Sequence, residues 1–269
     1  MVAPELVRST IDGVTLLGDP NRPGGVTFAF AERTGGVSDG CFSSLNLGDN
    51  TDDDPQSVAE NRRRALAALG AGSLYRRLVA PRQVHGTNVV VVEDSHEGLA
   101  RAKAEAREGA DAVVCLVPNV PVLVCMADCA TVVLATRGAF AVVHAGWRGC
   151  LSRIAGKAAD ILVRRTGCDA STIRAYVGPH IGVDDYEVSD DLAKRFESEF
   201  GTRVLGTKNH VSLYQSILAS LEEAGVVTSN IVCAPESTFA NEYRYFSFRR
   251  QQGSCGRMGA LACILDDSE

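Results

Sequence analysis

The amino-acid sequence predicts an α+β fold, a single domain over residues 1–269 in which a mixed β-sheet core is flanked by helices. Three observations predict it. Four short apolar runs, Ala112 to Val117, Val120 to Met126, Thr131 to Ala135 and Phe140 to His144, follow one another with turn residues between them, as packed strands do. From Arg148 to Arg165, Leu151, Ile154, Ala158, Ile161 and Leu162 recur at helical spacing. Strands and helices also mix without the regular βαβ alternation of a doubly wound parallel sheet.

Val26 to Ala31 is an apolar strand followed by the loop Thr34-Gly35-Gly36. Asp54-Pro55 opens a helix with an N-cap acid and a proline in the first turn. That helix runs to about Leu69, and Gly70 stops it. Val89 to Val92 reads as a strand, and Ala102 to Glu108 as a short charged helix or loop. Tyr176-Val177 ends a strand before Gly178-Pro179. Ser189 to Phe200 and Ser212 to Ala224 read as helices, and Ile231 to Cys233, Tyr243 to Phe248 and Leu261 to Leu265 as closing strands.

Composition narrows the class. Of 269 residues, 45% are hydrophobic and 22% charged, a balance that argues against disorder. The net charge of -6 argues against a general nucleic-acid surface. The most apolar stretch, Ala112 to Ala135, is interrupted by Pro118, Asn119, Pro121 and Asp128, which suits buried strands and not a membrane span. Met1 to Val14 has no long apolar run after a basic start, so no secretory signal is expected. Nine cysteines, odd in number and irregularly spaced, then read as reduced thiols in the cytoplasm.

Chemistry narrows to few side chains. Of five histidines, His96 lies in the polar run Glu93-Asp94-Ser95-His96-Glu97, and His210 precedes a helix; both suit solvated positions. His85, just before a strand, and His144 and Cys129, each closing an apolar run, sit where a sheet can aim side chains into one cleft. Two imidazoles and a thiolate suit zinc with its fourth position open. No CxxC or HExxH spacing supports this, so buried, satisfied histidines and an inert core cysteine stand as the alternative. Gly146-Trp147-Arg148-Gly149 forms a strand-to-helix turn whose free N–H groups, with Arg148, suit an anion, or a tight turn bearing a surface arginine. The lone tryptophan reads as packing. Arg33, Arg62, Arg249 and Arg250 offer further guanidinium forks for phosphate, or simple surface charge.

Taken in order, the motifs resemble the YfiH-type proteins, also called laccase-domain or polyphenol-oxidase-like proteins and described as purine nucleoside phosphorylases. The matching stretches are Thr34-Gly35-Gly36-Val37-Ser38, Ser44-Leu45-Asn46-Leu47-Gly48, Glu60-Asn61-Arg62, Gln83-Val84-His85-Gly86, Ala127-Asp128-Cys129, His144 to Gly149, Gly178-Pro179, Tyr186-Glu187-Val188 and Phe246-Ser247-Phe248-Arg249-Arg250. They span about residues 26 to 265, and the Gln83-Val84-His85-Gly86, Ala127-Asp128-Cys129 and His144 to Gly149 motifs are the most specific. The resemblance implies zinc ligands at His85, Cys129 and His144. It also implies phosphorolysis of adenosine, inosine and methylthioadenosine, and deamination of adenosine. Bacterial members have been linked to correct peptidoglycan precursor composition. The chain departs from the family pattern at Asp184-Asp185, where paired cysteines are common, and at His180, Ala130, Ser212 and Cys255.

The mechanism expected from these residues has zinc, with copper possible in vitro, at the triad. Arg33, Arg62, Arg148 and Arg249 are candidates to hold phosphate as co-substrate, and Asn46 offers a polar contact. Asp128, beside the cysteine ligand, is either a partner to the ligands or a proton carrier. The partners are a purine nucleoside and phosphate, with no nucleic acid and no membrane, in a monomer or small homo-oligomer. Three other readings compete: a copper-dependent polyphenol oxidase, a metal-free Cys/His hydrolase, and a non-enzymatic peptidoglycan-editing factor.

Overall fold

The computed structural model describes residues 3–94 and 96–266. Residues 1, 2, 95 and 267–269 lie outside the described residues; they include both ends of the predicted domain span, the start of the Met1 to Val14 stretch and one residue of the polar run around His96.

The α+β reading holds, with a refinement: the core is built from two sheets. The first is wholly antiparallel, in the order β1 (Val7–Ile11), β2 (Val14–Gly18), β3 (Val26–Ala31), β11 (Met258–Ile264), β6 (Val122–Met126). The second is mixed, in the order β10 (Ile231–Cys233), β9 (Arg174–Val177), β7 (Ala130–Thr136), β8 (Ala139–Ala145), β5 (Ala112–Cys115), β4 (Val89–Val92). Its outer pairs, β10 with β9 and β4 with β5, are parallel, and the inner ones antiparallel.

The two sheets pack face to face. Alternation along each strand sends Phe28, Phe30, Val122, Val124 and Ala260 from one side and Val113, Val133, Phe140 and Val142 from the other into a shared buried layer. Each large side chain taken fully out of water there stabilises the fold by roughly 1.5–3 kcal/mol. The opposite parity of the second sheet, including Val132, Leu134, Ala141 and Val143, is covered by α4 (Ile154–Thr166), α5 (Asp190–Phe200) and α6 (Leu213–Glu223). The outer face of the first sheet is covered by α1 (Pro55–Ala68), and α2 (Glu97–Glu108) packs Leu99, Ala102 and Ala106 onto the layer between the sheets. Among the described residues no helix is long and apolar enough to cross a membrane.

Two local expectations are corrected, and one element is added. The helix expected over 148–165 is two, α3 (Trp147–Leu151) and α4, because Arg153 takes a left-handed φ of 56° that breaks the hydrogen-bond ladder. Tyr243 to Phe248 is a chain of turns, not a strand. Tyr245 and Phe246 are buried, but the Phe246 N–H meets Met258 Sδ at 3.0 Å and the Tyr245 carbonyl accepts from Arg250, leaving no ladder to join. The hairpin β1–β2 was not expected at all, although Asp12-Gly13 at its tip has φ of 49° and 82°, the two left-handed residues that a tight hairpin needs.

Candidate active site

The chain crosses from the first sheet to the second between Met126, which ends β6, and Ala130, which opens β7. Cys129 sits in that crossing. The register Thr131 opposite His144 and Ala130 opposite Ala145 brings the end of β8 alongside it. His144 has the parity of Phe140 and Val142, so its ring turns toward the layer between the sheets. His85 arrives from the loop before β4. That loop is stitched along β6: Val79 bridges Val122, and the Gln83 amide donates to the Cys125 carbonyl at 2.7 Å while its oxygen accepts the Cys125 N–H at 2.8 Å.

These three side chains therefore meet. Their ligand atoms all lie within 4.8 Å of one another, and among the described residues no other His, Cys, Asp or Glu group is so gathered. Cys129 Sγ is 3.9 Å from His85 Nε2, and the two imidazole rings stand edge to face at 4.8 Å. Close approach depends on Gly146, where a Cβ would stand 2.9 Å from Cys129 Sγ and 3.1 Å from His85 Cδ2.

A residue absent from the sequence reading completes the cluster. Asp111, fully buried at the foot of β5, accepts from His144 Nδ1 at 2.8 Å and from the backbone N–H groups of Val84, His85 and Gly86 at 3.2, 2.9 and 2.7 Å. With Nδ1 of His144 so engaged, Nε2 is the atom left to serve as a ligand.

Electrostatics support a charged cluster. Burial would push the Cys129 thiol up, but the His144 charge and hydrogen bonds from both histidines outweigh it and hold the thiol well below its usual range. Burial would lower His144, yet the Cys129 sulfur and Asp111 together raise it. Burial would raise Asp111, and the His144 hydrogen bond with the backbone donors brings it down instead. One thiolate and two imidazoles from three chain segments form a donor set suited to zinc, whose bond lengths imply sulfur–nitrogen separations of about 3.5 Å.

The triad lines a cavity of about 670 Å³, a size in the range of small-molecule sites. Of the other candidates, Arg62 and Arg249 line it. Arg62 donates through Nε to the Leu47 carbonyl at 2.8 Å and meets Asp49 at 3.2 Å. Arg249 donates through Nη1 to the Glu187 carbonyl and lies 5.3 Å over the Tyr186 ring. Asp128 also lines the cavity, but its carboxylate accepts from Thr238 Oγ1, Ser247 Oγ and the Arg249 N–H, which fastens the 238–249 segment to the crossing.

Arg33, Asn46 and Arg148 are not brought to this cavity. Arg33 donates to the Ser43 and Glu242 carbonyls beside a separate shallow pocket. Asn46, fully buried, bonds Thr51, Asp53 and the Gly48 and Arg257 N–H groups, ordering the loop that carries Asp49. Arg148 is exposed and stacks 4.1 Å over the Trp147 ring. Sequence reading missed Arg82, Arg107 and Arg257, which line the cavity, as do the rings of Trp147, Tyr186 and Phe248. The positions of departure from the family pattern, Ala130, His180, Asp184, Asp185, Ser212 and Cys255, are not among the residues that line it.

Comparison with known proteins shows what the chain is similar to. A purine nucleoside phosphorylase of Deinococcus radiodurans is 37% identical over 94% of each chain. Adenosine deaminase RL5, from an unknown prokaryotic organism, is 33% identical over 85% of this chain and 90% of its own. Among solved structures, YlmD from Geobacillus stearothermophilus superposes with a TM-score of 0.85 at 28% identity, over 98% of this chain and all of its own. YfiH of Bacillus licheniformis gives 0.84 at 27% identity, over 94% and 97%. Residues 27–265 match the sequence model of the family described as multi-copper polyphenol oxidoreductase laccase, and the chain belongs to that family.

Proposed function

We propose that this chain is a zinc-dependent purine nucleoside phosphorylase. In this reading it takes adenosine, inosine and methylthioadenosine, uses phosphate as co-substrate, and also deaminates adenosine. It works in the cytoplasm, as one domain, in a monomer or small homo-oligomer. The observation that carries the reading is the meeting of His85, Cys129 and His144 in a cavity also lined by arginines and aromatic rings. Relatives named for both activities support it.

His85, Cys129 and His144 would hold the zinc. When bound, zinc supplies a Lewis acid that polarises an oxygen or lowers the pKa of water. Arg62, Arg249 and Arg257 bind and orient phosphate: each has part of its guanidinium tied to a backbone carbonyl, leaving other N–H groups for an anion. The faces of Tyr186 and Phe248 stack on the purine. In phosphorolysis a phosphate oxygen bonds to ribose C1′ as the C1′–N9 bond breaks, and the purine leaves with the electron pair and takes a proton. In deamination a water oxygen replaces the C6 amino group, which leaves as ammonia.

The chain has only five histidines, and His180 and His210 turn Nδ1 to the carbonyls of Gly178 and Thr207. A three-copper cluster with a separate blue site is therefore poorly supported, although copper could displace zinc at the triad. A metal-free hydrolase has one observation in its favour, the lowered Cys129 thiol beside two imidazoles. One experiment separates these readings. The protein is incubated with adenosine, with and without phosphate, and adenine and inosine are read separately before and after chelation. Adenine that requires phosphate, lost on chelation and restored by zinc, supports the proposal. Activity that survives chelation but not thiol alkylation overturns it in favour of the hydrolase.

A further inference from the structure

We propose that Asp111 is a positioning residue that presets both histidine ligands of the triad, an inference that rests on the metal-dependent reading above. Four N–H donors converge on this one buried carboxylate. Oδ1 accepts from the His85 backbone at 2.9 Å and from the His144 ring at 2.8 Å. Oδ2 accepts from Gly86 at 2.7 Å and Val84 at 3.2 Å. The Asp111 carbonyl also accepts the His144 backbone N–H at 2.7 Å. One residue thus grips His144 at main chain and ring, and grips the main chain on both sides of His85.

The arrangement is costly unless it serves the site. A fully buried carboxylate loses its hydration, and the one ion-pair partner of Asp111 among the described residues is His144. His85 itself holds a left-handed φ of 56°, uncommon for a residue with a Cβ. The three N–H bonds to Asp111 offset that strain and point the His85 ring at Cys129. On the other side, the ring bond selects the His144 tautomer with its proton on Nδ1, freeing the Nε2 lone pair. Two ligands from distant segments are thereby ordered by a single group that is not itself a ligand.

Asp111→Asn tests this. The amide keeps the size of the carboxylate but offers one acceptor oxygen, so in either orientation its NH₂ faces two of the four donors. Zinc affinity, read by competition with a chromophoric chelator, is expected to fall roughly 10–100-fold in a variant whose melting shows it still folded. In the wild type, with or without zinc, ¹⁵N spectra are expected to show a slowly exchanging proton on His144 Nδ1. A folded variant with wild-type zinc affinity overturns the inference. So does a wild-type His144 whose Nδ1 carries no proton, a readout that needs neither the variant nor bound metal. A wild type that binds no zinc but shows the protected Nδ1 proton overturns the zinc reading and leaves the positioning role intact.

Discussion

Gly146→Ala separates the chemistry of the triad from the stability of the fold. Gly146 has φ of -76° and ψ of 178°, extended backbone that alanine adopts freely. The backbone change alone therefore stabilises the fold by about 0.4–1 kcal/mol through the unfolded chain. The new methyl, however, would stand 2.9 Å from Cys129 Sγ and 3.1 Å from His85 Cδ2. Relief to an ordinary contact of about 3.5–4.0 Å moves the sulfur by roughly 0.6–1.1 Å and the ring by roughly 0.4–0.9 Å. Such local overpacking costs about 1–3 kcal/mol, so the net loss of stability stays under about 3 kcal/mol.

A zinc ion held by the triad would tolerate far less. Zinc ligation holds distances within about 0.2 Å, several times smaller than the displacement the methyl imposes. Gly146→Ala is expected to fold, to lose at least about tenfold in zinc affinity, and to lose on the order of 10²-fold in turnover. Thermal melting with and without added zinc, chelator competition and the adenosine assay read the three quantities. A variant that matches wild type in zinc affinity and turnover would show that Cys129 and His85 do not share an ion at this spacing.

Further outcomes follow from other residues. Arg62→Ala should raise the KM for phosphate by roughly 10–100-fold, the worth of a charge-assisted hydrogen bond, with the KM for adenosine changed about twofold at most; an unchanged phosphate KM removes Arg62 from the anion site. Gln83→Ala should cost about 1–3 kcal/mol in a denaturant melt, because the Cys125 N–H and C=O both lose their partner; a loss below about 0.5 kcal/mol would mean water replaces the amide fully. In metal-stripped protein, Cys129 should alkylate readily at pH 7 and slow as pH falls through about 6, since the lowered pKa keeps the thiolate down to there. Cys125, pushed up to about 11 by burial, should stay unlabelled at pH 7. Labelling of Cys129 that rises instead through about 8.5, the value of a free thiol, would refute its pairing with His144.

The parts of the fold legible in the sequence are those whose burial leaves a period. The runs from Ala112 to Ala145 are buried at nearly every position, and Asp54-Pro55 with Gly70 mark both ends of α1. β1 left no period because Val7–Ile11 is exposed at every position, so only its pairing with β2 makes it a strand. Tyr243 to Phe248 has strand composition, but Tyr245 and Phe246 fill core space from turns while Tyr243 stays exposed. Two sheets could not be told from one, since a strand buried on both faces has the same apolar run wherever it pairs.

The site divides along a similar physical line. His85, Cys129 and His144 could be singled out because their side chains can carry metal chemistry wherever they stand, and the family resemblance favours that reading over an inert core. The arginines carry no such chemistry, and their place depends on pairings distant in sequence. Arg148 is adjacent to the Gly146 turn, yet a helical step carries it outward over Trp147, whereas Arg257, far along the chain, reaches the cavity because Asn46 bonds its N–H and draws its strand end beside Asp49. Asp111 left one usable signal: an acid abutting Ala112–Cys115, a strand buried at all positions. A charge at such a position must find donors or destabilise the fold, and here the loop before β4 brings the N–H groups of Val84, His85 and Gly86 while β8 brings the His144 ring. An acid at the foot of a fully buried strand is thus a reason to look for the loop that satisfies it, and in this chain that loop carries His85, the first member of the triad.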